Sequence, residues 1–231
     1  MVSSVFPRPA RRAALIAAIL AATLAASGCA QVREMIAGDE PATVATPTSS
    51  PTPEIPFDSE FSYEGSVSLS SSVGDELEID LDVWAVDPRR TMEWSPTDEK
   101  VFGFAVNAVD NRVSERAVLT DKRRVYLSQI SITSATAQES GSSTSPFQFM
   151  ADPRTLVPSD TLRSDRGLLL NTFQGGLLVP ETPIQQLPAD TIGITLNFAL
   201  TVWVEGAAND DASFSQQTVY QSVPVAIFAE E

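Results

Sequence analysis

At 231 residues and 43% hydrophobic content the chain is long enough to bury one sizeable core, and its formal net charge of -15 marks it as strongly acidic. Residues 1–28 hold three arginines and no acid, so the remainder carries 12 basic against 30 acidic residues, a formal -18. That surface excludes nucleic acid as a partner, because phosphate binding draws its affinity from lysine and arginine. With no histidine and one cysteine, imidazole bases, Cys/His zinc sites and internal disulfides are excluded as well.

Taken in chain order, the first segment has Arg8, Arg11 and Arg12 followed by apolar or small residues from 13 to 26. This charged-then-apolar layout is that of a secretory signal, and the run is shorter than the ~20 residues a spanning helix needs. It closes on Leu24-Ala25-Ala26-Ser27-Gly28-Cys29. The stretch resembles the lipobox of bacterial lipoproteins, with Ala26 where that family usually carries leucine. What the resemblance implies covers about the first thirty residues only. It implies that the Cys29 thiol is diacylglycerated, that the bond before it is cut, and that the new terminus is open to N-acylation. The chain then sits on the outer face of the cell membrane, held by lipid, with no other cofactor expected. Two acyl chains at ~0.8 kcal/mol per buried methylene suffice for such an anchor. The Arg11-Arg12 pair leaves a twin-arginine export route open beside the general secretory one.

Residues 29–56 read as a tether. Prolines at 41, 47, 51, 53 and 56 among threonines and serines favour an extended spacer. At ~3.1 Å per residue the stretch 38–56 reaches on the order of 60 Å, enough to hold a domain clear of the headgroups.

From residue 57 to 231 turn signals separate short runs whose apolar residues recur at every second position, the pattern of strands with one buried face. The clearest run, 192–204, puts Ile192, Ile194, Leu196, Phe198, Leu200, Val202 and Val204 on one side and Gly193, Thr195, Asn197, Thr201 and Trp203 on the other. Thirteen residues are long for one strand, so a bend or bulge is expected within it. Runs 76–83 and 101–109 alternate in the same way. Further strands are expected over 61–70, 125–133, 147–150, 168–173 and 219–228, the last at a sheet edge because Pro224 has no ladder donor. Residues 71–75 and the low-complexity stretch 134–145 read as breaks, 159–166 as a short capped helix, and 158–187 as a proline-rich crossover. The fold expected is an all-β, immunoglobulin-like β-sandwich, without the cysteine pair that marks antibody domains.

Three features bear on function. Glu76, Glu78, Asp80 and Asp82 alternate with apolar residues, so four carboxylates are expected on one ribbon at about 7 Å spacing. Their repulsion is expected to be relieved by a neighbouring strand offering cations, with Arg112, Arg116, Lys122, Arg123 and Arg124 as candidates, or by solvent, and otherwise by calcium or a cationic partner. Trp84 shares the stripe's parity and Trp203 the polar parity of its strand. Exposed indoles beside carboxylates suit the apolar faces and hydroxyls of sugar rings. Asn209-Asp210-Asp211 is the best calcium candidate, a weak one, since calcium takes six or more oxygens. No phosphate loop, dinucleotide fingerprint or nucleophile elbow is present, so no catalytic residue is assigned. The function expected is that of a non-enzymatic envelope lipoprotein binding a protein or polysaccharide component of the envelope. The alternatives are a carboxylate-dependent glycan hydrolase and a calcium-stabilised structural module.

Overall fold

The computed structural model describes residues 57–172 and 175–229. The Cys29 lipobox and the tether lie outside the described residues, as does Phe173 at the end of the 168–173 run. The described residues form one body of two antiparallel sheets. The first sheet runs in the order β1 (Ser66–Gly74), β2 (Leu77–Ala85), β3 (Lys100–Asp110), β8 (Leu177–Ile184). The second runs β10 (Phe214–Ala226), β9 (Thr191–Glu205), β4 (Val125–Gln138), β7 (Gly167–Leu169), β6 (Arg163–Ser164), with β5 (Gln148–Ala151) also paired to β4.

The alternation explains the sandwich. Leu77, Ile79, Leu81 and Val83 from β2 and Phe102, Phe104 and Val106 from β3 turn to one side. There they meet Ile130 and Ile132 of β4 and the 194–204 series of β9. The layers interlock through rings, with Phe104 edge-on to Phe149 and Phe198 and Phe102 edge-on to Phe147 at centroid distances of 5.7 to 6.0 Å. Edge-to-face pairs add about 0.5–1.5 kcal/mol each beyond the apolar area they bury. The expected irregularity in the long run is present: Ala137 and Gln138 of β4 face Gly193 and Thr191, which leaves Ile192 as an extra residue on β9, half-buried instead of joining the inward face expected for it.

Several expectations are corrected. Residues 61–64 are not strand but the short helix α1 (Glu60–Glu64), because Ser59 caps it by accepting from the Ser62 amide and Gly65 closes it in the left-handed region. The 71–75 break is shorter than read, since β1 runs on to Gly74 and only Asp75 and Glu76 make the turn. The 134–145 break likewise begins late: Ser134 and Thr136 turn inward as the end of β4, where Ser134 Oγ bonds both main-chain groups of Phe147. Residues 159–166 form turns and β6 rather than a helix. The crossover hides β8, whose Pro180 and Pro183 are tolerated because the strand lies at a sheet edge and pairs only with β3. The immunoglobulin connectivity is also absent. That fold parts its second and third strands between sheets, whereas here β1, β2 and β3 form a meander in one sheet. A two-residue turn joins β1 to β2, and the close pairing it favours outweighs the analogy.

Two buried charges hold the loops. Lys100 is fully buried and its Nζ donates to the carbonyls of Ser95 at 2.6 Å, Asp98 at 2.5 Å and Pro96 at 3.3 Å. Burial pushes its pKa down, against the pull of Asp98. Glu205 is also buried and takes the Arg124 guanidinium, which bonds Asp211 as well.

Candidate functional site

The acidic stripe faces outward on the first sheet, as its parity requires, but only three of its four members belong to it. Glu78, Asp80 and Asp82 stand in a row, whereas Glu76 sits in the β1–β2 turn with a φ of 53°. A residue in that left-handed conformation leaves the strand's alternation.

The expected neutralisation by a neighbouring strand is not what the sheet provides. Ser72, Ser70, Ser68 and Ser66 of β1 stand directly opposite Glu78, Asp80, Asp82 and Trp84. On the other side β3 presents Val109, Asn107, Ala105 and Gly103. The carboxylates therefore draw on hydroxyl donors, Ser68 Oγ to Asp82 at 2.5 Å and Ser70 Oγ to Glu78 at 3.3 Å. The cations expected beside them are engaged elsewhere. Arg112 and Arg123 bind Asp110, and Arg124 binds Glu205 and Asp211. Among the described residues no ion pair reaches the stripe.

Arg116 and Lys122 do come near. The segment between β3 and β4 folds back over the sheet face and, with Leu170, Asn171, Thr172 and Gly175 after β7, walls a groove of about 590 Å³. Ser68, Ser70, Asp80, Asp82 and Asn107 contribute to its lining, and Arg116 and Lys122 lie on its wall. The wall is braced from several directions. Lys122 Nζ donates to the Glu115 carbonyl at 2.6 Å, and Asn107 Oδ1 accepts from the Gly176 amide at 2.7 Å. At its root is a buried cluster. Asp110 accepts from Arg112 and from the side chain and amide of Arg123, Arg123 reaches the Asp75 carbonyl, and Asn171 Nδ2 donates to the Arg123 carbonyl at 2.6 Å. Burial pushes the Asp110 carboxyl up, but the hydrogen bonds from Arg112 and Arg123 outweigh it and hold it well below the usual carboxylate range.

Trp84 extends the same face. It follows Asp82 by two positions, so it stands about 7 Å further along the strand, and its half-buried indole lies over Gly103. A Cβ at Gly103 would come within 2.6 Å of that ring and 2.4 Å of the Pro180 carbonyl, so only glycine lets the indole lie flat. Trp203 does not join it. It projects from the outer face of the second sheet, paired with Tyr126 and Gln216, on the opposite side of the sandwich.

The Asn209-Asp210-Asp211 turn is spent within the chain. Asn209 Nδ2 donates to the Thr120 carbonyl at 2.6 Å, Asp210 caps the Ala212 amide at 3.0 Å, and Asp211 holds Arg124. The turn thus props up the wall segment through Thr120. No cluster of three or more acidic, histidine or cysteine side chains suited to a metal occurs among the described residues.

The groove itself escaped the sequence, because its wall comes from positions distant in the chain. The one local signal was the density of arginine and lysine over 112–124. The chain matches no protein-family model and no curated protein sequence.

Proposed function

We propose that this protein is a lipid-anchored envelope protein whose β-sandwich binds a carbohydrate component of the envelope without cleaving it. The observation that carries the reading is the union, on one sheet face, of a walled groove and an indole platform. Carboxylates and serine hydroxyls on its floor suit ring hydroxyls, Arg116 and Lys122 add donors from the wall, and Trp84 offers the apolar surface on which a sugar ring stacks. The lipobox at Cys29 and the proline-rich tether support display on the outer face of the cell membrane, where such a polymer lies.

The test is co-sedimentation of residues 57–231 with purified cell-wall polysaccharide. These residues suit it because the core described above closes among them. Trp84→Ala and Asp82→Asn are expected to abolish retention, while Trp203→Ala on the far face keeps it and no new reducing ends appear. Equal retention of all four proteins would overturn the groove as the site, and no retention of the wild type would overturn carbohydrate as the ligand.

A further inference from the structure

The open edge of β10 has an unusual composition for this chain. Residues 214–228 contain no charged side chain in a protein with 30 acids. Natural sheets normally blunt a long edge with charge, proline or a bulge to prevent pairing with another chain. The two edges on the far side of the sandwich follow that rule. β8 carries Pro180, Glu181 and Pro183, and β6 carries Arg163. β1, the other edge strand of the first sheet, is also uncharged, and it lies on the same side of the sandwich as β10: Gln217 Nε2 of β10 donates to the Val73 carbonyl and Gln221 Nε2 to Ser71 Oγ.

Which main-chain groups face outward follows from the contacts at the far end of β10. The Pro224 carbonyl accepts from Ser59 Oγ and the Ala226 amide donates to Ser62 Oγ, both at α1, whereas the Ile227 amide turns back to Ile192 at the head of β9. β10 pairs with β9 without a register shift, so even-numbered residues point away from β9 along its whole length. Pro224 occupies one of these positions, where its missing N–H costs no ladder bond. The groups of Gln216, Thr218, Tyr220 and Ser222 then form an open row, with no main-chain partner among the described residues. Their side chains are exposed, and Tyr220 is the most exposed large side chain of apolar character, at 77%.

We propose that this edge pairs with the same edge of a second copy of the chain to form a two-fold dimer with a continuous sheet. Charge selects this occupant. Two copies of so acidic a protein repel over most of their surface, and the side that carries β1 and β10 is where they approach without opposed carboxylates on the meeting strands. Geometry selects the register. α1 blocks the edge at 224 and 226, and the exposed residues of the row span 216–222, Phe214 being half-buried; an antiparallel self-overlap centred on that window puts Val219 on the axis. Thr218 then faces Tyr220 of the second copy and Gln216 faces Ser222, four pairs that exchange on the order of eight main-chain hydrogen bonds. The axis stands perpendicular to the sheet, so it sets β1 beside its own copy, and the interface is isologous. A contact of this size belongs to weak interfaces, with dissociation in the micromolar range or above.

The test is sedimentation equilibrium of residues 57–231 from about 1 μM to about 1 mM, the span expected for a weak interface. The wild type is expected to pass from monomer to dimer. Thr218→Pro removes an outward N–H without touching the β9 ladder, and Thr218→Lys brings two ammonium groups together near the axis. Each is expected to raise the dissociation constant at least about tenfold. The lysine variant decides the matter if the proline variant does not fold. A wild type that stays monomeric throughout would overturn the proposal and leave the edge to an extended segment of another protein. Dimerisation undiminished in the lysine variant would overturn it equally.

Discussion

Asp110→Asn is expected to destabilise the domain through its buried charge pair. The Asp110 side chain is fully buried and that of Arg123 is 5% exposed, so each is the other's principal counter-charge. The carboxylate takes hydrogen bonds of 2.8 Å from Arg123 Nη2, 3.0 Å from the Arg123 amide and 2.9 Å from Arg112 Nη2. Removing one partner of a buried ion pair costs about 3–5 kcal/mol, because the other charge is left uncompensated. The lower end applies, since Arg123 keeps the Asp75 carbonyl. At roughly 2–4 °C per kcal/mol for a domain of this size, the melting temperature is expected to fall by about 6–12 °C at pH 7. The pH dependence carries a sign. The folded-state pKa of Asp110 is depressed, so its contribution is complete above the unfolded value of about 3.9 and is lost as pH falls below it. The gap between wild type and Asp110→Asn, followed by circular dichroism melting, is therefore expected to narrow from pH 7 to pH 3. A loss under about 1 kcal/mol, or a gap that stays constant on acidification, would refute the argument that a buried charge pair anchors the wall.

Gly103→Ala is expected to cost about 1–3 kcal/mol through overpacking and to push Trp84 off the sheet, read as a shifted tryptophan emission. Lys100 gives the same sign of pH dependence in an alkaline window: its folded pKa lies below the unfolded value near 10.4, so the wild type is expected to gain stability relative to Lys100→Met as pH rises from 7 towards 10. Excess chelator is expected to leave the melting temperature unchanged, because the Asn209-Asp210-Asp211 side chains already serve chain partners. Cys29→Ala is expected to move the protein from the membrane fraction to the soluble one, measured by fractionation.

The legible parts of the fold were those in which a residue's surroundings are set by its own strand. The β2, β3 and β9 alternations translate directly into inward and outward faces, and Pro224 marks an edge strand as expected. What escaped was decided by partners far along the chain. Ser134 and Thr136 look like low complexity until Phe147 and Thr144 supply the hydrogen bonds that let them end a strand inside the sandwich. Pro180 and Pro183 look like breakers until β8 is seen to lie at the sheet edge, with β3 on one side only. Residues 61–64 follow the alternation of the strand after them, and what makes them helical instead is the Ser59 cap, which together with Ser62 ties α1 to the far strand β10.

The same division runs through the candidate site. The row of Glu78, Asp80, Asp82 and Trp84 was readable because alternation alone puts those side chains on one face. Its electrostatics were not, because the answer depended on which strands lie beside it. Nearby cations in the sequence suggested ion pairs, yet β1 sets a row of serines beside the three acids, a neutral solution that leaves Asp80 and Asp82 lining the groove with no ion pair among the described residues. Had arginines stood at 68 and 70, the stripe would be closed as a salt-bridged surface and the groove floor would have little left with which to bind. The arginines are instead drawn to Asp110 and Glu205, where they fix the loops that make the wall. The chain's cations build the groove's shape, and its hydroxyls keep the floor open to a ligand.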